Sequence, residues 1–176
     1  MTRFLLIVLT LLTLSACGFH LRGTTFHDTG LNNVGIMLEK CSHEWEYLLK
    51  ELLRNGRVNV VTDSRDIEYW IILRNEYTES NIVSISSSTS SRQYELVYHV
   101  EFSLQTVNSV PLIALTPIVV TRPLTINSDR ILGSHDEEEQ LKHAMRRDAA
   151  MQLLYRISSW HQQHRATLQP LSKAQP

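Results

Sequence analysis

The chain has 176 residues, with 17 Lys and Arg against 18 Asp and Glu, which gives a formal net charge of −1. This length is enough to bury the core of one domain, and one domain is expected. The near-neutral charge provides no general basic field, so the sequence argues against a nucleic-acid-binding protein.

The first sixteen residues have the layout of a secretory signal peptide. Arg3 gives a positive start, residues 4–14 form an apolar run, and small residues then precede Cys17. The run is shorter than the roughly 20 apolar residues that a transmembrane helix needs. We therefore expect residues 1–16 to be removed, leaving one domain over 17–165 and a flexible C-terminal tail over 166–176.

Residues 14–17, Leu-Ser-Ala-Cys, resemble the lipobox of bacterial lipoproteins. The resemblance implies cleavage before Cys17, which would then carry an N-acyl group and an S-diacylglycerol group. Because lipoproteins retained in the inner membrane tend to have an aspartate at the next position, Gly18 implies the outer membrane, facing the periplasm. The alternative is an ordinary leader cut near Ala16, with Cys17 incidental. If Cys17 is lipidated, Cys41 is the remaining cysteine and no intrachain disulfide can form.

A strand, a helix and a second strand are predicted in succession. Short apolar runs at 34–38 and 57–61 fit strands. Apolar residues at spacings of three and four predict a helix over 43–54, with Ser42 as its cap and the pair Asn55-Gly56 as its left-handed stop. A right-handed crossover through this helix would make the two strands parallel. The apolar stripe of the helix comprises Trp45, Leu48, Leu49, Leu52 and Leu53.

Two long strands and a polar tip predict a deep β-hairpin. Side chains alternate over 67–74, which begins a long strand that continues towards Ile85. A cleaner alternation of apolar and polar residues over 93–105 predicts a second strand with one buried face. The tip at 86–91 consists of Ser and Thr, and is either a solvated turn or a contact inside a partner. A further strand is predicted over 112–122, and Pro117 places it at a sheet edge or at a bulge. The buried face of the second hairpin strand comprises Tyr94, Leu96, Tyr98, Val100, Phe102 and Leu104.

The last predicted element is a long amphipathic helix. Residues 123–133 are expected to form a loop, after which Ser134 and Glu137 form a capping box. The apolar periodicity that follows predicts a helix of about 26 residues. Its buried stripe comprises Leu141, Met145, Ala149, Leu153, Ile157 and Trp160.

Signatures of catalysis are absent from the sequence. It contains no Gly-rich phosphate loop, no Gly-x-Ser-x-Gly elbow, no His-Glu-x-x-His and no Cys pair with metal-ligand spacing. His161 and His164 could share a helix face as metal ligands, but no third ligand can be named. Neither a metal nor another cofactor is therefore expected. Cys41 is expected to be a buried or half-buried residue rather than a reactive thiol.

The opening of the mature chain resembles that of one lipoprotein family. Residues 17–23 read Cys-Gly-Phe-His-Leu-Arg-Gly. The lipopolysaccharide-assembly lipoproteins of the LptE family begin in a similar way, with a cysteine, a glycine, an aromatic residue, His, Leu and Arg. The predicted order of elements is also similar to that family: a short strand, a helix ending at 54–56, a deep hairpin containing Tyr94 and a final helix that starts in acids.

This resemblance implies an α+β fold, a two-layer sandwich of two helices on a roughly four-stranded mixed sheet with one long hairpin. It also implies a non-enzymatic outer-membrane lipoprotein that plugs and helps to assemble the LptD β-barrel in a complex with one copy of each. The protein would bind lipopolysaccharide during its delivery to the outer leaflet. It would be lipid-anchored, facing the periplasm and lying within the barrel lumen.

The resemblance also assigns roles to individual residues. In the LptE family, basic residues near the hairpin tip and in the loop before the last helix are linked to binding lipopolysaccharide phosphates. The corresponding places here hold Arg92 and Arg130, and the loop over 127–133 contains no lysine. The hairpin tip would contact the barrel through Ser87, Ser88, Thr89, Ser90 and Ser91.

Two other classes of function fit parts of the sequence. A generic periplasm-facing lipoprotein, acting as the scaffold of another envelope complex, would have a similar fold and anchor. Co-purification with a large β-barrel would separate that class from the first. A lipid-anchored hydrolase is disfavoured, because no nucleophile, base and orienting residue can be named in the sequence.

Overall fold

Two helices pack on a five-stranded sheet in the computed structural model, which describes residues 29–85, 91–127 and 131–168. The strand order is β2-β1-β3-β4-β5. The strands are β1 (Asn33–Glu39), β2 (Asn59–Val60), β3 (Tyr69–Ile85), β4 (Ser91–Thr106) and β5 (Pro111–Asn127), and the helices are α1 (Glu44–Asn55) and α2 (Ile131–Leu168).

The sheet is mixed, as predicted. β1 pairs in parallel with both β2 and β3, which confirms the parallel arrangement expected from a right-handed crossover through α1. The β3–β4 and β4–β5 pairs are antiparallel. The predicted α+β sandwich is therefore confirmed. The sheet has one strand more than the four expected, because the two-residue strand β2 extends it beyond β1.

Helix α1 begins and ends close to the predicted residues. Ser42 caps it, since its Oγ accepts a hydrogen bond from the backbone N–H of Glu44 at 3.2 Å. The predicted left-handed stop at Gly56 is wrong, because Gly56 has φ −83° and the positive φ of 61° belongs to Arg57. The backbone N–H of Val58 donates to the carbonyl of Leu53 at 3.0 Å. This is a Schellman motif whose left-handed position comes one residue later than the glycine.

A single hydrophobic core joins the helices to the sheet. The alternation predicted for β4 is confirmed, because every second residue from Leu96 to Leu104 is buried. The predicted stripes of both helices face the same core, with Trp45, Leu49, Met145 and Leu153 fully buried. Such a core removes far more apolar surface from water than either helix could alone. The core residues of the three long strands are Ile71, Leu73, Leu96, Tyr98, Val100, Phe102, Leu104, Ile118, Val120 and Leu124.

Strand β5 lies at the edge of the sheet, as Pro117 predicted. Arg156 of α2 donates to the carbonyl of Pro117 at 2.8 Å, so this residue directs its backbone polar groups away from β4. The register is continuous from Pro117 to Asn127, which gives Pro123 the same outward orientation. A proline costs no ladder hydrogen bond there. The predicted loop over 123–133 is therefore wrong for 123–127.

Helix α2 is longer than predicted, with 38 residues. It begins at Ile131, so Ser134 and Glu137 lie inside the helix and the predicted capping box does not start it. It ends at Leu168, so 166–168 of the predicted tail are helical, while 169–176 lie outside the described residues. Neither helix of the described chain combines the length and the apolar character needed to cross a membrane.

Candidate functional site

The three long strands form an arm beyond the middle of the sheet. We define the arm as residues 77–85, 91–99 and 119–127, which pair from Tyr77↔His99 to Ile85↔Arg92 and from His99↔Val119 to Ser91↔Asn127. β3, β4 and β5 have 17, 16 and 17 residues, whereas most strands have roughly 3–10. One face of the arm belongs to the core, through Leu96, Tyr98, Val120 and Leu124, whereas Ile82, Val83 and Val119 are exposed.

The arm exposes apolar side chains. Ile82 is 56% exposed and Val83 is 63% exposed, and they follow one another on β3. A single exposed apolar residue is common on protein surfaces. Two neighbouring ones near the end of the arm are typical of a surface that a partner covers.

Arg92 lies near the end of the arm, paired in the ladder with Ile85 and Ile126. Arg92 is two residues from Tyr94 and four from Leu96 on β4, so its side chain lies on the same face of the sheet as theirs, the face that the helices cover. Its side chain is exposed and forms no ion pair with another residue in the described part of the chain. A guanidinium held in this way is available to an anion from outside.

Of the other predicted site residues, the structure describes only Ser91. Ser91 pairs with Asn127 in the β4–β5 ladder. The described residues do not include Ser87, Ser88, Thr89, Ser90, Arg130 or the predicted lipidation site, Cys17.

A β-bulge separates the arm from the rest of β3. Arg74 pairs with Glu101 and Tyr77 pairs with His99, so Asn75 and Glu76 together oppose a single residue of β4. Asn75 has φ 54°, a left-handed conformation that asparagine tolerates better than most residues. The extra residue reverses the alternation of β3 and turns Glu76 towards the helices.

Glu76 is the centre of a half-buried polar cluster at the base of the arm. Its Oε1 accepts hydrogen bonds from the Tyr98 hydroxyl at 2.6 Å and from Arg146 Nε at 2.9 Å. Its Oε2 accepts one from the backbone N–H of Ser42 at 2.6 Å. The Tyr98 hydroxyl in turn accepts one from Trp45 Nε1 at 2.9 Å. These five residues, which we call the Glu76 cluster, connect both helices to β3 and β4.

The electrostatics of the Glu76 cluster favour one charge state. Burial on its own would raise the pKa of Glu76, but the donors from Tyr98, Ser42 and Arg146 outweigh it and hold the pKa below its usual value. Burial, followed by the hydrogen bond to the Glu76 carboxylate, raises the pKa of Tyr98. Arg146 also contacts Glu44 of α1. The cluster therefore contains a carboxylate, a neutral phenol and a guanidinium, each with partners, which suits a structural role rather than proton transfer.

Sequence reasoning missed the Glu76 cluster. A bulge shifts alternation by one residue, and the sequence from Ile67 to Ile85 is compatible with an unbroken strand. The signal that could have found it is Asn75, a residue that accepts positive φ, followed directly by an acid just after the apolar start of the strand.

The remaining polar candidates have structural surroundings. His164 stacks on Trp160, with Nδ1 2.8 Å from the Trp160 carbonyl oxygen, whereas the His161 ring lies against the backbone at Gly30, where a Cβ would come within 2.1 Å of it. No group of three or more His, Cys, Asp or Glu in the described chain could hold a metal ion. Cys41 is half-buried, as predicted, and burial raises the pKa of its thiol, which favours the unreactive protonated form.

A family model and curated relatives match most of this chain. Residues 45–157 match the LptE family, described as lipopolysaccharide-assembly. The LPS-assembly lipoprotein LptE of Yersinia pestis (strain Pestoides F) is 28% identical over 161 residues, which cover 89% of this chain and 75% of that protein. The same protein of Yersinia pseudotuberculosis serotype O:1b (strain IP 31758) matches to the same extent.

Solved structures have the same fold. Lipoprotein B of Nitrosomonas europaea is 29% identical with a TM-score of 0.68, over 82% of this chain and 93% of that chain. The rare lipoprotein B of Shewanella oneidensis, at 23% identity and a TM-score of 0.64 over 76% of this chain and 99% of that one, supports the fold alone. Because the family model covers strands β2 to β5, nearly all of α1 and most of α2, the chain belongs to the LptE family of non-enzymatic lipopolysaccharide-assembly lipoproteins of the outer-membrane envelope.

Proposed function

We propose that this protein plugs and helps to assemble the LptD β-barrel and binds lipopolysaccharide on its way to the outer leaflet. Membership of the LptE family supplies the general role in lipopolysaccharide assembly. The observation that carries the finer proposal is the arm, with its exposed Ile82, Val83 and Arg92.

The shape of the domain suits a plug. A wide β-barrel leaves an aqueous channel unless something fills it. A two-layer domain held by one core and by the Glu76 cluster is rigid enough to do so, and an arm of three paired strands can extend into the lumen without losing its backbone hydrogen bonds. Ile82 and Val83 would be covered by the barrel wall, and the tip residues Ser87–Ser91 would contact it.

Lipopolysaccharide binding would use the arginines near the tip. A guanidinium binds phosphate through two parallel N–H donors, and it keeps its charge at every physiological pH. Arg92 is exposed, and its neighbour Ser91 pairs with Asn127, the last residue of β5. We therefore assign the phosphate contact to Arg92 together with Arg130.

The lipid anchor would act as a tether at the opposite end. The described chain starts beside β1, whose first residues pair with Asn59 and Tyr69, and Tyr69 pairs with Thr106 at the end far from the arm. Residues 18–28 would link a lipidated Cys17 to this end, with a reach of at most roughly 40 Å. That placement leaves the arm free to enter a barrel while the lipid holds the domain at the periplasmic face of the outer membrane.

Co-purification tests this proposal. The chain carrying a C-terminal affinity tag is extracted from membranes in detergent, and a large β-barrel is expected to remain bound through purification. A stable complex with a different envelope assembly and no barrel would instead support the generic scaffold. Arg92→Ala combined with Arg130→Ala should weaken capture of lipopolysaccharide while the barrel still co-purifies, and unchanged capture would remove the two arginines from the site.

A further inference from the structure

The face of the sheet opposite the helices carries a pocket of about 490 Å³ beside the β3 bulge. Small-molecule sites commonly have roughly 300–1,000 Å³. The register places the side chains around it on the side away from the core, because Tyr98, Val100 and Phe102 between them point inwards. The residues that line it and matter here are Lys40, Asn75, Tyr77, His99, Glu101 and Pro117.

The wall of this pocket is an aromatic platform. Tyr77 stacks on His99 across the β3–β4 pair, with ring centroids 4.5 Å apart and planes 9° from parallel. Tyr77 is 49% exposed, so the ring face away from His99 is open. His99 Nε2 lies 3.8 Å from the Glu79 carboxylate, which is beyond hydrogen-bond distance, so the stacking on Tyr77 is the contact that orders the His99 ring. A bound molecule would meet a flat, preorganised surface and would not have to order it.

Polar groups surround the platform. Asn75 Nδ2 donates to Glu101 Oε2 at 2.7 Å, which fixes both side chains and leaves Glu101 with further acceptor capacity. Lys40 stands at the rim with φ 56°, and its ammonium forms no ion pair with any residue that the structure describes. The pocket thus offers the Glu101 carboxylate as an acceptor, the Asn75 amide and the Lys40 ammonium, which can pair with an anion, beside an aromatic face.

We propose that this pocket binds one ring of an acidic glycan. The apolar C–H face of a sugar ring packs on the open face of Tyr77, and its hydroxyls bond to Glu101 and Asn75. A carboxylate or phosphate on the same or the next sugar pairs with Lys40. An apolar ligand would leave these polar groups unpaired, which is costly. The site lies at the base of the arm and does not depend on barrel binding. Binding of a peptidoglycan sugar would go beyond the function proposed above, whereas binding of a lipopolysaccharide sugar rests on that function and adds a second contact to it.

Two envelope glycans have this chemistry, and titration of the full chain in detergent separates them. The probes are the lipid-free oligosaccharide released from lipopolysaccharide and a disaccharide-peptide fragment of peptidoglycan, followed by NMR shifts of the pocket residues. We expect saturable shifts with at least one probe. The probe that binds identifies the source of the sugar, and no saturable shift with either probe would overturn the proposal.

Variants localise the binding. Tyr77→Ala should weaken it by about tenfold, the order expected from losing one good contact, and Lys40→Gln should weaken it towards acidic sugars more than towards neutral ones. Tyr77→Phe keeps the ring and should bind as the unaltered chain does. Tyr47→Ala removes a 76% exposed tyrosine from α1 and is the matched control, expected to have no effect. Equal weakening by Tyr77→Ala and Tyr47→Ala would contradict a site in this pocket.

Discussion

Strand β3 passes from the Glu76 cluster into the arm, and its side chains have opposite surroundings in the two places. At Glu76, β3 supplies a charge with three hydrogen-bond donors, among residues whose partners come from both helices. A few residues further on, β3 exposes Ile82 and Val83. The bulge at Asn75 and Glu76 marks the change. One strand therefore both holds the domain together and carries an exposed apolar surface, and the two features should be separable by mutation.

Removing Arg146 should have the largest effect on folding. Arg146→Ala leaves the Glu76 carboxylate, with only 9% of its side chain exposed, without its cation. Breaking a buried pair in this way costs about 3 kcal/mol of unfolding free energy or more, which urea unfolding would measure. Arg147→Ala, at the exposed neighbour on α2, is the control and should change little. Equal stability of the two variants would mean that the cluster does not hold α2 to the sheet.

Loss of the Tyr98 hydroxyl should have a smaller effect. Tyr98→Phe keeps the buried ring but removes the group that accepts from Trp45 and donates to Glu76. The buried indole N–H then has no partner, and such groups cost about 1–3 kcal/mol. Urea unfolding followed by tryptophan fluorescence would measure it, with Tyr47→Phe as the matched exposed change. A Tyr98→Phe protein as stable as the parent would show that the hydroxyl adds nothing.

Acid should weaken the same cluster. The folded-state pKa of Glu76 lies below its ordinary value of 4.5, so its contribution to stability is complete above that value and is lost as the pH falls through the folded pKa. The unfolding free energy should therefore drop below pH 4.5, and the drop should be shallower for Glu76→Gln. Parallel pH profiles for the two proteins would exclude Glu76 as the source.

The smallest effect on stability is expected from the arm. Ile82→Ser combined with Val83→Ser changes exposed side chains, and surface substitutions of this kind usually stay within about 0.5 kcal/mol each. The melting temperature measured by circular dichroism should be nearly unchanged. A large loss of stability would mean that Ile82 and Val83 contribute to the core, as Leu96 and Leu124 of the same arm do.

Periodicity explains why the core was predictable and the cluster was not. Spacings of three and four in α1 and of two in β4 identified buried residues such as Trp45 and Phe102, because burial on one face imposes that pattern on the sequence. Glu76 breaks the pattern through a bulge, which is set by pairing with β4 rather than by local sequence. Pro123 and Ser134 were misassigned because edge position and helix start depend on distant partners.

We propose that the arm, and not the rest of the exposed surface, binds the barrel. The direct measurement is recovery of LptD with the tagged chain, comparing Ile82→Ser/Val83→Ser with Val107→Ser/Val110→Ser. Val107 and Val110 are 47% and 54% exposed at the β4–β5 turn, at the opposite end of the sheet. We predict that the arm variant loses the barrel while the turn variant keeps it. Recovery of LptD by the arm variant at the level of the parent chain would contradict the account.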